Sequence, residues 1–290
     1  MTKAKTMGPV RRIGAIVMIG LVTCGPASAD SGGVGRLLGR RDTPSSGTAD
    51  RQARQQALAA IPVGQLLPEA VEKIRPIVDS PTLYRRLPIE TIHCTRDSYV
   101  FLARHPDVLV GLWDLMGITN VQVQRTGPYR LRAVDGSGTT CDIDLVYGDL
   151  QTHLFLARGS YDGKLVARPV HGNGVFLLRS RYAVDADGRP TVTGTMDCFL
   201  QLENLGADLI ARTFGGLIGK SADHNFRETA KFVEQIEIAT ETQPMAMMEV
   251  AHRLPQVQND VRTQFAAMIR RRSMRTATGQ RDPAATAAAR

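Results

Sequence analysis

Chemistry in this chain would have to come from a few histidines and cysteines, one Gly-Lys-Ser tripeptide and a set of arginines. Gly219-Lys220-Ser221 has the ending of a phosphate-binding loop. That loop also needs a glycine five residues before Gly219 and a strand leading into it. Position 214 is Phe and the segment reads as helix, so Gly215, Gly216 and Gly219 are taken as sites of close packing or a kink. Asp223-His224-Asn225 places a histidine beside a carboxylate, the pairing used in acid–base catalysis. Neighbouring helix positions point about 100° apart, so the two make no dyad by themselves. A structural hydrogen bond from Asp223 or His224 to a loop or strand end is the expectation. His171-Gly172-Asn173-Gly174 reads as a turn. His93, His105 and His153 stand at no metal-ligand spacing from one another or from a cysteine. Cys94, Cys141 and Cys198 are an odd set once Cys24 is lost with a leader, and are expected to be buried free thiols. No catalytic residue, metal or cofactor is assigned.

Arg130, Arg132, Arg158, Arg179 and Arg181 fall on strand positions opposite to apolar neighbours, so they are expected on an outer sheet face, answering Asp142 and Asp144. The net charge of +8 is uneven: residues 1–29 carry +4, 30–60 carry +2 and 270–290 carry +5, leaving −3 for 61–269. A near-neutral body lacks the clustered basic surface that nucleic acid requires.

The positions of these residues follow from the hydrophobic pattern. Turn signals separate strands at Leu87–Cys94, Val121–Arg125, Tyr129–Val134, Thr139–Tyr147, Thr152–Arg158, Lys164–Val170, Gly174–Val184 and Thr191–Leu202. Alternation puts Cys141, Ile143, Leu145 and Tyr147 on one side, as it does Phe176, Leu178, Tyr182 and Val184, and Val192, Met196, Cys198, Leu200 and Leu202. One apolar and one wet sheet face are expected. Short helices are expected at Ser98–Arg104, capped by Asp97, and at Val108–Met116, closed by Gly117. Trp113 is placed where that second helix meets the sheet edge. From Leu205 to Ile238, Ile210, Phe214, Leu217, Ile218, Ala222, Phe226, Ala230, Val233 and Ile236 recur at three- and four-residue steps, one face of a long amphipathic helix.

The ends read differently. Basic residues, the apolar run Ile13–Val22 and Ala27-Ser28-Ala29 give residues 1–29 the pattern of a cleaved secretory signal. Export to the periplasm or exterior is expected; Cys24 as a lipoprotein site and Arg11-Arg12 as a twin-Arg signal are weaker matches. Residues 30–64 read as a flexible linker, 65–79 as a short helix broken at Pro76, 244–270 as an additional helix and 271–290 as a disordered Arg- and Ala-rich tail.

The order of elements, strand then two short helices then antiparallel strands then one long helix, together with the approach CFLQLENLGADLIARTFGGLIGKSADHNF, resembles the helix-grip fold. That is the START-like superfamily, which includes polyketide cyclases and plant pathogenesis-related proteins. The resemblance covers about residues 80–241. It implies an α+β fold, a curved antiparallel sheet wrapped around a long C-terminal helix, with extra flanking helices and a hydrophobic chamber between sheet and helix. The implied chamber residues are Ile143, Leu145, Tyr147, Leu154, Leu156, Phe176, Leu178, Tyr182 and Met196 from the sheet, and Phe214, Phe226 and Val233 from the helix. The leading expectation is non-catalytic binding of an apolar small molecule or lipid. The alternative is a cell-envelope structural or interaction protein with a filled core, docking a partner or a second copy through its terminal helices. A hydrolase or cyclase comes last, because the inward positions are nearly free of titratable groups.

Overall fold

The computed structural model describes residues 46–163, 168–203 and 219–277. Within the linker expected over residues 30–64, the described residues 46–64 are ordered. Thr48 bridges to Arg86, and a helix α1 (Arg51–Ala59) follows, because Asp50 caps it by accepting from the Ala53 N–H at 2.6 Å. Ala53 and Ala57 give α1 a small apolar side that lies flat on its neighbours. The linker reading missed this because alanine is a weak hydrophobic signal. Helix α2 (Pro68–Asp79) runs through Pro76 instead of ending there. Burial of Ile74, Ile77 and Val78 offsets the proline's cost of roughly 3 kcal/mol.

The strand expected at Leu87–Cys94 is two strands, β1 (Leu83–Arg86) and β2 (Glu90–His93), both paired antiparallel with the last strand. Pro88 has no N–H for a ladder, which accounts for the interruption. Helix α3 (Arg96–Arg104) is capped by Thr95, not Asp97; Asp97 sits in its first turn. Helix α4 (Pro106–Leu115) is followed by Gly117 at φ 67°, the left-handed position that favours glycine.

Strands β3 (Gln122–Gly127), β4 (Arg130–Val134), β5 (Thr139–Gly148), β6 (Thr152–Tyr161), β7 (Val170–Val184) and β8 (Pro190–Leu202) complete an eight-stranded antiparallel sheet. The order is β1-β8-β7-β6-β5-β4-β3, with β2 also on β8. His171–Gly174 lies inside β7, not in a turn. A Cβ on Gly172 would stand 2.7 Å from Leu202, and one on Gly174 2.8 Å from the Phe176 ring, so these glycines admit close packing within the sheet. Most of the strand expected at Lys164–Val170 falls on residues outside the described ones.

The sheet has two apolar faces, not one. Its concave face carries Leu131, Ile143, Phe155, Phe176, Leu178, Val192, Met196 and Cys198, in one core with α3, α4 and the C-terminal helices. Its convex face carries Leu154, Leu156, Val175, Leu177 and Phe199, and α1 and α2 cover these. Leu154 and Leu156 were expected to face the long helix; they point away from it. The run Leu154-Phe155-Leu156-Ala157 is apolar at every position, so alternation within it could not choose its face. Tyr147 is a second correction. The register shifts between Leu145 and Tyr147, and this bulge turns Tyr147 to the convex side.

The long helix is described as α5 (Gly219–Thr242), with Phe226, Val233 and Ile236 buried against the concave face. Ile210, Phe214, Leu217 and Ile218 lie outside the described residues. The additional helix is two helices, α6 (Pro244–Arg253) and α7 (Asn259–Ala277), parted at Pro255. The start of the tail, through Ala277, is therefore helical. Gln256, at φ 62°, is held there by the Val123 N–H, which its Oε1 accepts at 2.8 Å, and by donating to Asp114 at 2.8 Å. Gln258 donates to the Arg125 carbonyl at 3.1 Å. These amides occupy backbone groups of edge strand β3 that would otherwise invite another strand.

Buried charges tie the layers together. Asp197 is fully buried under α1 and accepts from Tyr84, Arg86 and Arg179, each at 2.7 Å. Asp223 accepts from Arg85 at 2.6 Å and from the Gly47 N–H at 2.9 Å, fastening the start of α5 to β1 as a structural hydrogen bond. Arg125 reaches inward to Asp107 with a bond of 3.1 Å from its Nε. On the bare side of the sheet, Arg130 and Arg158 meet Asp144 at 2.6 and 3.6 Å, as the strand pattern suggested. Cys94, Cys141 and Cys198 are buried free thiols.

Candidate functional site

The chamber expected between sheet and long helix exists in reduced form. Strand β2 contributes Ile92, β6 Phe155, β7 Leu178 and β8 Val192 and Met196; Tyr99, Leu102 and Leu109 come from α3 and α4, and Phe226, Ala230 and Val233 from α5. The cavity volume is about 80 Å³. Its polar margin is Glu90, Thr229 and Tyr99.

Of the sequence-derived chamber residues, Leu178, Met196, Phe226 and Val233 line this cavity. Ile143 and Phe176 are buried in the surrounding core, and Leu145 and Tyr182 are packed on it. Tyr147, Leu154 and Leu156 stand on the other face, and Phe214 is outside the described residues. The sequence reading missed Tyr99, Leu102 and Leu109. Their three-residue step from Tyr99 to Leu102 was visible, but nothing in a short helix says which face of a sheet it will meet.

The chamber has little to do chemistry with. Burial pushes the Tyr99 phenol up to about 12, so it stays protonated. Burial raises the Glu90 carboxyl above its ordinary value, against the pull of Arg227 and Lys231; Arg227 lies 3.4 Å away. An acid–base mechanism needs paired groups within hydrogen-bond reach of a reacting atom. Here Glu90 is paired with the half-buried Arg227 instead. Tyr182 donates to the Leu150 carbonyl, and its ring meets that of Tyr99 edge-on at 6.4 Å. Trp113 packs its ring on Phe232 of α5 at 5.6 Å rather than lining the space.

Three histidines, His93, His105 and His153, serve the fold. His93 bridges Glu234 of α5 at 2.7 Å and Asp185 of the β7–β8 turn at 3.1 Å. His105 stacks on Phe101 at 4.5 Å and is held below its ordinary value by burial. His153 is fully buried on β6, where burial and then the Arg104 guanidinium push it down to about 4. Arg104 donates to its Nε2 at 3.4 Å, so the neutral ring carries its proton on Nδ1. Among the described residues no group of three or more His, Cys, Asp or Glu could hold a metal ion.

The curved antiparallel sheet closed by a long helix near the C-terminus is an α+β helix-grip fold with added helices on both faces. No family model matches the chain, and no curated protein matches it. Among solved structures it is similar to a conserved protein from Geobacillus kaustophilus, at 9% identity over 50% of this chain and 93% of that one, TM-score 0.32. It is similar to Ara h 8.0201 at 10% identity over 49% of this chain and 96% of that one, TM-score 0.28. A third is the di-domain ARO/CYC BexL from the BE-7585A biosynthetic pathway, at 16% identity over 58% of each chain, TM-score 0.30. What these proteins bind or make is not carried to this chain.

Proposed function

We propose that this chain is an exported, non-catalytic START-like protein of the cell envelope that works through its surfaces, its interior being filled by its own side chains. The cavity volume carries this reading: about 80 Å³ between sheet and α5, against roughly 300–1,000 Å³ for clefts that enclose a small molecule. The leader pattern of residues 1–29 supports export. The scarcity of paired titratable groups around the chamber supports a non-catalytic role. Among the described residues no helix is long and apolar enough to cross a membrane. The second reading, binding of an apolar small molecule in the chamber, is favoured by one observation: apart from Glu90, Tyr99 and Thr229, the lining is apolar.

Organic extraction of the purified full-length protein followed by mass spectrometry tests the proposal. No lipid should be recovered at a stoichiometric amount. One equivalent of a co-purified apolar molecule would replace the filled-core reading with the second one.

A further inference from the structure

Among the described residues, the convex face is covered over β6–β8 and bare over β3–β5. At the boundary lies a groove of about 560 Å³, within the roughly 300–1,000 Å³ range of small-molecule sites. Helix α2 forms one wall with Leu67, Ala70 and Lys73, and the Pro128–Tyr129 turn forms the other. The floor is Val146, Tyr147 and Leu156. Its origin is the geometry of β5: β4 begins at Arg130 opposite Asp144, while β5 continues to Gly148, so the end of β5 lies beyond the register with β4. The lips are apolar and in water, Leu67 being 74% and Tyr129 67% exposed.

The charges around this apolar floor are unequal. Arg104, Lys73 and Arg130 face Glu69 and Asp144. Asp144 is already engaged by Arg130 at 2.6 Å and Arg158 at 3.6 Å. Arg104 donates only to neutral acceptors, the Gly148 and Asp149 carbonyls at 3.2 and 3.1 Å and His153. The Asp149 carboxylate is occupied by the Tyr147 hydroxyl at 2.8 Å and by the Gln151 and Thr152 N–H groups. Glu69, exposed one helical turn from Lys73, makes no ion pair with it within 4.0 Å among the described residues. Among the described residues, two cations, Lys73 and Arg104, are thus left without a carboxylate partner beside this floor.

We propose that the groove binds a free amphipathic organic anion: a flat or branched apolar body on Val146 and Tyr147 between Leu67 and Tyr129, with a carboxylate- or sulfonate-class head at Lys73 and Arg104. A free molecule suits the shape, since the bed is walled on two sides and a lipid surface needs a projecting face. The site is separate from the interior chamber.

The test uses anilinonaphthalene sulfonate as the anionic probe and N-phenylnaphthylamine as its uncharged counterpart, titrated by fluorescence into the full-length protein. One saturable sulfonate site per chain is expected, bound about ten-fold more tightly than the uncharged probe, the worth of one charge-assisted bond. Lys73→Glu should weaken sulfonate binding about ten-fold and Tyr129→Ser several-fold. Both residues are exposed, so the thermal midpoint should not move. Ala230→Leu, or the smaller Ala230→Val should the first fail to fold, fills the interior and should leave the affinity unchanged. Absence of a saturable site, equal affinity for the two probes, indifference to Lys73→Glu, or loss of binding in the interior variants would overturn the proposal. So would Lys73-dependent sedimentation of the protein with phosphatidylglycerol vesicles, which would make the partner a lipid surface.

Discussion

The two faces of the sheet bury similar side chains in different ways. On the concave face, five helices close over the apolar residues and leave about 80 Å³. On the convex face, two short helices cover only the β6–β8 half, held by a buried carboxylate, and a groove of about 560 Å³ opens where the cover stops. The hydrophobic pattern of the sequence, with the resemblance it carries, puts a binding space inside the grip. Here the larger space is outside it, because extra helices fill the interior and a short α2 leaves the outer layer incomplete.

The comparison breaks most clearly if the convex layer is a loose attachment. Phe199 is fully buried beneath it, and Phe176 is buried on the concave side. Each Phe→Ala variant should cost about 3–5 kcal/mol in urea unfolding. A cost below about 1 kcal/mol for Phe199→Ala alone would show that α1 and α2 are peripheral to the fold. Next comes the anchor. Asp197→Asn removes the charge that Arg86 and Arg179 share on a fully buried carboxylate and should cost about 3 kcal/mol or more. Amide exchange in α1 should rise more than in α5. Equal loss of protection in both would mean that Asp197 supports the whole sheet.

The dryness of the concave side has a pH signature. His153 falls from 6.5 to about 4 on folding, so folding favours the neutral ring. The associated stability is present above about pH 6.5 and is lost as pH falls through about 4, amounting to about 3 kcal/mol. His105 shifts in the same direction through burial, so the informative quantity is the difference between the parent and His153→Gln. That variant should show a shallower loss of stability between pH 6.5 and pH 4; parallel curves would contradict the burial of a neutral His153. The smallest effect concerns the guarded edge. Gln256→Ala removes the bond to the Val123 N–H and should cost about 1 kcal/mol, with faster amide exchange at Val123.

Much of the concave face was legible because Asp142 and Asp144 on β5 and Arg179 and Arg181 on β7 mark the opposite parity, even though Val175, Leu177 and Phe199 are apolar and buried on that other side. Ile143, Phe176, Leu178 and Met196 were placed on the correct side by parity alone. Parity failed where its physical basis fails. In β6 both faces are buried, so the direction of Leu154 and Leu156 was signalled only by Arg158, which shares their parity, and at the β5 bulge one extra residue reversed Tyr147. Alanine concealed α1, since Ala53 and Ala57 bury little area yet fit flat against the sheet. The groove was beyond reach for a different reason. Lys73, Arg104, Tyr129 and Tyr147 come from four elements, and only the tertiary fold brings them together.

The filled interior is tested most directly by methyl NMR of the full-length protein, following Leu178, Met196 and Val233 while N-phenylnaphthylamine is added. These three side chains line the chamber, and their resonances should stay in place at saturating probe. Saturable shifts at all three, abolished by Ala230→Leu, would show an apolar molecule entering the grip and contradict the account.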